Sequence, residues 1–282
     1  MFLRPITSRR NPLVKRLKEL SSRQGREREG RVLLEGTHLL EEVIRLQPSA
    51  FDVVATSRWL ERNDHLVASL PIGTTIQPVS DEVLEAALTT VSPDGVACLF
   101  PLTSLPEPPA SPSFLLALDR IQDPGNLGTI LRTALAADTD VVLLGSGADP
   151  LSPKVLRSSA GTLLQLPHKR FGPGEHEAVI LLEQQLSHLA RRGHQVVATL
   201  VPGASGALTP IPYWDLDWTR PTVLVLGTEG AGLHPRLQAQ CTHAVTLPHS
   251  ERVESLNVAA CAVPLLLERR RATMTATSQQ HG

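Results

Sequence analysis

At 282 residues, with 41% apolar and 20% charged side chains, the chain has the ordinary balance of one or two globular domains with a sizeable core. No apolar run approaches the roughly 20 residues that cross a bilayer, and the basic N-terminus lacks a signal peptide's apolar region and cleavage site, so no membrane partner and a cytoplasmic location are expected. The net charge of -1 hides an asymmetry, because residues 1–31 hold ten Lys or Arg against three acids (+7) and leave 17 basic against 25 acidic residues (-8) elsewhere, which points to a polyanion partner.

In chain order, Leu13, Leu17 and Leu20 share a helical face after Asn11-Pro12. Val32-Leu33-Leu34 is a short apolar run, followed by helical spacing through Leu39, Leu40, Val43 and Ile44. Phe51–Ala55 and Ile76–Val79 are predicted strands, a helix starts at Asp81, and a strand at Val96–Phe100 closes a small α/β unit over residues 1–100. Residues 101–113 contain five prolines, each lacking a backbone donor, and are predicted to be a linker. Strands are then predicted at Phe114–Leu118, Val141–Leu144, Gln195–Leu200, Thr222–Leu226 and Ala244–Leu247. Helical stretches lie between most of them, at Leu127–Ala137, Pro153–Ser159, His176–Arg191 and Leu233–Ala239. A last helix is expected from Ser255 to Arg271. This alternation predicts a mostly parallel sheet covered by helices over residues 114–272, with a frayed polar tail at 273–282. Cys98, Cys241 and Cys261 form no C-x-x-C pair and no zinc set, so they read as small buried hydrophobes.

Ligands of open α/β sheets bind at the carboxyl ends of strands, and three such ends are unusual. After Leu118, a turn of Asp123-Pro124-Gly125-Asn126 opens a helix in which Asn126 is a candidate cap and Arg132 follows within two turns. After Leu226, the run Gly227-Thr228-Glu229-Gly230-Ala231-Gly232 permits close approach of backbone to ligand. It is neither G-x-G-x-x-G nor a P-loop. Its carboxylate suits a ligand with hydroxyls or positive charge. After Leu247-Pro248, Ser255 is expected to cap the last helix, with Asn257 in its first turn, where a helix has no use for an amide.

These three segments, in order, resemble the signature motifs of the SpoU (TrmH-like) RNA 2'-O-ribose methyltransferases. Pro153–Gly161 resembles that family too. Asn11–Lys15 and Leu34–Glu42 look like the substrate-binding domain of its rRNA-modifying branch, so the resemblance spans nearly all of residues 8–270. It implies a catalytic α/β domain with a trefoil knot, preceded by a small α/β, ribosomal-protein-like RNA-binding domain. It also implies a homodimer, S-adenosyl-L-methionine (SAM) as cofactor and structured RNA, foremost 23S rRNA, as substrate. Gly227, Leu247 and Leu256 would hold the cofactor, with Thr228 and Gly230 beside them. Asn126, Arg132, Glu229, Ser255 and Asn257 match the family's polar active-site positions. An Arg is almost always protonated, so Arg132 is expected to clamp a phosphate or the developing alkoxide rather than act as a base. Aromatics are only 3% of the chain, so RNA would be held through backbone and shape rather than stacking.

Two departures stand out. Leu247-Pro248-His249 replaces the family's usual Ile-Pro-Met, with the lone His249 expected to be merely exposed, and Pro264 is expected to kink the last helix. No metal is expected. The alternatives are a tRNA 2'-O-methyltransferase, a generic dinucleotide-binding domain, which lacks its glycine fingerprint, and a non-catalytic RNA-binding or ribosome-assembly protein.

Overall fold

The computed structural model describes residues 3–46, 50–202, 207–228, 232–250 and 252–280, the last five by backbone alone. They form two compact units, Met1–Leu105 with Asp149–Leu164, and Pro106–Ala148 with Gln165–Gly282.

In the first unit the order is α1 (Pro12–Glu19), α2 (Arg23–Glu29), β1 (Arg31–Glu35), α3 (Thr37–Arg45), β2 (Asp52–Thr56), α4 (Ser57–Arg62), α5 (Asp64–Ala68), β3 (Thr75–Val79), α6 (Asp81–Ala87) and β4 (Val96–Pro101). The sheet order is β1-β4-β2-β3, with only β2 and β3 parallel. Alternation along β1 sends Val32 and Leu34 to one core with Leu39, Leu40 and Val43, and Leu33 to the other with Val14 and Leu17. Asn11 caps α1 by accepting from the Leu13 N–H at 2.9 Å, with Pro12 in the first turn. Helix α2 was not expected, because Arg23–Glu29 has no apolar periodicity. Its ends define it instead: Ser22 accepts from the Gly25 N–H at 3.1 Å, and Gly30 closes it at φ 63°. Pro78 is tolerated because β3 is an edge strand, and Leu3 and Ile6 donate to the Ile76 and Pro78 carbonyls along that edge.

The second unit begins with β5 (Phe114–Leu118), α7 (Pro124–Ala136) and β6 (Val141–Leu144). The chain then makes α8 (Pro153–Ser158) within the first unit, where Leu151, Leu156 and Leu164 join the core under α3. It continues with β7 (His168–Arg170), α9 (Glu175–Arg191), β8 (Gln195–Thr199), β9 (Ile211–Pro212), β10 (Thr222–Leu226), α10 (Pro235–Gln238), β11 (His243–Thr246) and α11 (Val258–Gln280). The seven-stranded sheet is parallel throughout, in the order β7-β6-β5-β10-β8-β11-β9. The expected fold class, a parallel sheet with covering helices behind a small α/β unit, is what the chain adopts.

Several expectations need correction. Strands β7 and β9 were missed because three and two residues are too short to show periodicity. Pro101 ends β4, a 3₁₀ turn spans Leu102–Ser104, and Leu102 and Leu105 pack on the first core, so part of the proline-rich stretch belongs to that unit. Helix α11 starts at Val258 rather than Ser255. It runs through Pro264 to Gln280, so the tail expected to fray is helical, extension of an existing helix being far easier than nucleation.

Candidate active site

Strands β10, β8 and β11 are neighbours, and the chain leaves their carboxyl ends on the same side of the sheet. The residues just beyond them, Gly227 and Thr228 after β10, Leu200–Pro202 after β8, and Leu247 and His249 after β11, line a single cavity of about 460 Å³. Ser255, Leu256, Val258 and Cys261, around the start of α11, complete it. Its volume is that of a small-molecule site. The walls combine apolar Leu200, Leu226, Leu247 and Val258 with a few polar groups, among them Glu254 and the buried Thr199 Oγ1, which has no hydrogen-bond partner among the described residues.

The glycine segment is shaped by backbone crowding. A Cβ on Gly227 would lie 2.5 Å from the backbone carbonyl of Gly232, so no larger residue fits there without moving main chain. Gly232 itself has φ 66° and donates its N–H to the Thr228 carbonyl at 3.1 Å. The far side of the segment is pinned by Asp119, a carboxylate only 1% exposed at the end of β5. Asp119 accepts from the His234 N–H at 2.8 Å and from Arg120 Nε and Nη2 at 3.1 and 3.0 Å. Arg120 reaches on to the Gly232 carbonyl at 3.3 Å. The hydrogen bond to Asp119 holds the Arg120 guanidinium above its ordinary pKa. Arg120 sits at φ 55°, rare for a residue with a Cβ, and this ion pair is what secures it. Sequence reasoning gave neither residue a role. A strand end reading Asp-Arg looks like surface charge until the chain folds back.

The two helix starts that carry the other polar residues are also rearranged. Asp123, not Asn126, caps α7, accepting from the Asn126 N–H at 2.8 Å. Asn257, not Ser255, caps α11: its Oδ1 accepts from the Ala259 and Ala260 N–H groups at 2.9 and 3.2 Å. Its Nδ2 donates to Asn126 Oδ1 at 3.1 Å. One amide therefore starts α11 and ties it to the first turn of α7, against which α11 packs. An Asp at position 123 leaves Asn126 to make that link, and an Asn at 257, unlike a Ser, has a donor as well as an acceptor.

Of the expected site residues, Gly227, Thr228, Leu247, Ser255 and Leu256 share the cavity wall, and Asn126 and Asn257 are bonded to each other. Arg132 is exposed on α7, is not part of the cavity wall, and has no side-chain partner among the described residues. Glu229 and Gly230 lie outside the described residues. His249 is half-buried in the wall rather than simply exposed. Its Nδ1 is 2.7 Å from the Leu247 carbonyl, which can only accept, so the proton of the neutral ring sits on Nδ1 and Nε2 is the acceptor.

Comparison with known proteins adds an independent line. Residues 113–267 match the model of the SpoU rRNA Methylase family, and residues 11–98 match an MRM3-like substrate binding domain. The chain is 40% identical over 97% of its length, and 96% of the other, to a Synechocystis protein described as an uncharacterised tRNA/rRNA methyltransferase. It is 29% identical to the 23S rRNA guanosine 2'-O-methyltransferase RlmP of Bacillus subtilis, over 95% of this chain and 100% of that one. An AdoMet-bound rRNA methyltransferase from Sinorhizobium meliloti superposes with a TM-score of 0.75 at 28% identity, covering 95% of this chain and 97% of that one.

Proposed function

This chain belongs to the SpoU rRNA methylase family, and from that premise we propose that it transfers the methyl group of SAM to a ribose 2'-hydroxyl of 23S rRNA. The observation that carries the reading is the convergence of three strand ends on one cavity, with the segment that closes it bonded through Asn257 to Asn126.

The residues fit the cofactor. Gly227 leaves a cradle that a Cβ would fill, the leucines and Val258 offer an apolar slot of the kind an adenine ring takes, and Thr199 Oγ1 is a buried hydroxyl without a partner among the described residues. Gly227, Leu247 and Leu256 would hold it, with Thr228 and Ser255 beside them. When bound, SAM supplies an electrophilic methyl group on a sulfonium. The protein's own part is to bring the ribose hydroxyl to that point and to stabilise the charge it develops, and positioning of this kind is worth up to roughly 7–11 kcal/mol. Asn126 and Asn257, fixed by their mutual bond, orient the sugar. The guanidinium of Arg132, exposed and without a side-chain partner among the described residues, clamps the adjoining phosphate or the forming alkoxide. Glu229 supplies a carboxylate that orients Arg132.

The first unit serves as the RNA-docking module. Following the family, the catalytic domain carries a trefoil knot and the protein works as a cytoplasmic homodimer. Val263 and Leu267, exposed one turn apart on α11, support such a contact.

Calorimetric titration with S-adenosyl-L-homocysteine (SAH) tests the cofactor assignment. Saturable binding is expected, and its absence would leave only a non-catalytic RNA-binding protein on this fold. Arg132→Lys should keep SAH affinity yet lose roughly 100-fold in turnover. Near-normal turnover would refute the guanidinium's role.

A further inference from the structure

The first unit's positive charge is not spread evenly. Of the ten cations in residues 1–31, Arg16 pairs with Glu29, Arg23 with Glu27, Arg28 with Glu19 and Arg31 with Asp52. Arg26, 2% exposed, is spent inside the unit on Asp149 and the Leu20 and Ser21 carbonyls. Arg4, Arg10 and Lys18 have no side-chain partner among the described residues, and Arg9 makes no ion pair there beyond a longer-range attraction to Glu82. Lys15 meets Glu19 only at 4.0 Å, while 85% exposed. Four of these five cations, Arg9, Arg10, Lys15 and Lys18, line one open concavity of about 670 Å³ at the start of α1. Its single acid, Glu19, is already engaged by Arg28.

We propose that this concavity is where RNA is held, with Arg9, Arg10, Lys15 and Lys18 each facing a backbone phosphate. The assignment rests on the rRNA methyltransferase reading for the identity of the polyanion. The chemistry of the surface adds the mode of recognition. The wall contains no aromatic side chain on which a base might stack. Its one amide, Asn11, is committed to capping α1. Four point charges without stacking or base-edge readers recognise phosphate spacing, not sequence. The surface therefore sets affinity, and the choice of nucleotide is left to the second unit.

The test uses the full chain with Arg9, Arg10, Lys15 and Lys18 all changed to Gln, and a labelled RNA stem–loop measured against a scrambled one across a salt series. Each lost phosphate contact reduces the slope of log K against log salt by about 0.7–0.9, so the quadruple variant should lose roughly 3 from it. Affinity for both stem–loops should fall by the same factor. Arg9→Gln and Lys18→Gln alone should each remove just under one from the slope, which guards against misfolding of the quadruple variant. SAH affinity should stay at the wild-type value. An unchanged slope would overturn the proposal, as would a loss confined to one of the two RNAs. If the wild type bound no SAH, the methyltransferase reading would fall while the salt slope still judged the surface.

Discussion

Two side chains and one missing side chain carry the site at the scale of single residues. Asn257 does two jobs, capping α11 with its oxygen and holding Asn126 with its nitrogen, and they can be separated. Ser caps as well as Asn, but it is too short to reach Asn126. Asn257→Ser should therefore unfold within about 0.5 kcal/mol of wild type, bind SAH normally, and lose methyl transfer at least about tenfold. Full activity in that variant would mean the Asn pair is structural only. Gly227→Ala should act on the other half of the chemistry. Its Cβ would collide with main chain at Gly232, so SAH affinity should drop sharply in a titration while RNA binding is kept. Unchanged SAH affinity would place the cofactor elsewhere. Both roles were half legible in the sequence. An amide near a helix start and a glycine after a strand are visible as anomalies, but which atom each one meets depends on a partner more than a hundred residues away in Asn126's case.

Secondary structure was most legible where burial is continuous. The apolar runs of β5, β6 and β10 match their predicted bounds because strands covered on both faces need an unbroken hydrophobic stretch. Helix α2 was not legible, since nothing in Arg23–Glu29 alternates and only its caps define it. Nor was the placement of α8. It looked like one more helix of the catalytic segment, yet Arg157 on it meets Glu35 of β1 at 2.7 Å, across 122 residues of sequence. Glu35 is a buried carboxylate that also accepts from both the backbone and the hydroxyl groups of Thr89 and Thr90. Glu35→Ala strands these donors together with Arg157 and should cost roughly 3 kcal/mol in urea unfolding. Arg157 is about a third exposed, and Glu35 keeps its threonine donors without it, so Arg157→Ala should cost only about 1 kcal/mol. Equal losses would show that the ion pair, not the threonine cradle, holds the carboxylate.

At the scale of the whole molecule, sequence and structure divide the labour in the same way. The first unit is nearly neutral overall, with 15 basic against 14 acidic residues, but its cations around α1 suit that surface to hold RNA without reading it, and a parallel sheet gathers the chemistry where three neighbouring strands end. The sequence made the three motifs recognisable as a set, because their order along the chain survives without knowledge of the fold. It could not show that β10, β8 and β11 are adjacent, since a sheet's strand order differs from its chain order. That adjacency gathers the loops after β10 and β11 with the end of β8 into one cavity, to which the first motif is tied by the Asn257–Asn126 bond, and with it the central claim, ribose methylation, becomes testable in one step. Purified protein, radiolabelled SAM and 23S rRNA are incubated, and the RNA is digested to nucleosides. The label should appear in a 2'-O-methylated nucleoside and vanish with Arg132→Ala. Label on a base, or none transferred to RNA, would contradict the account.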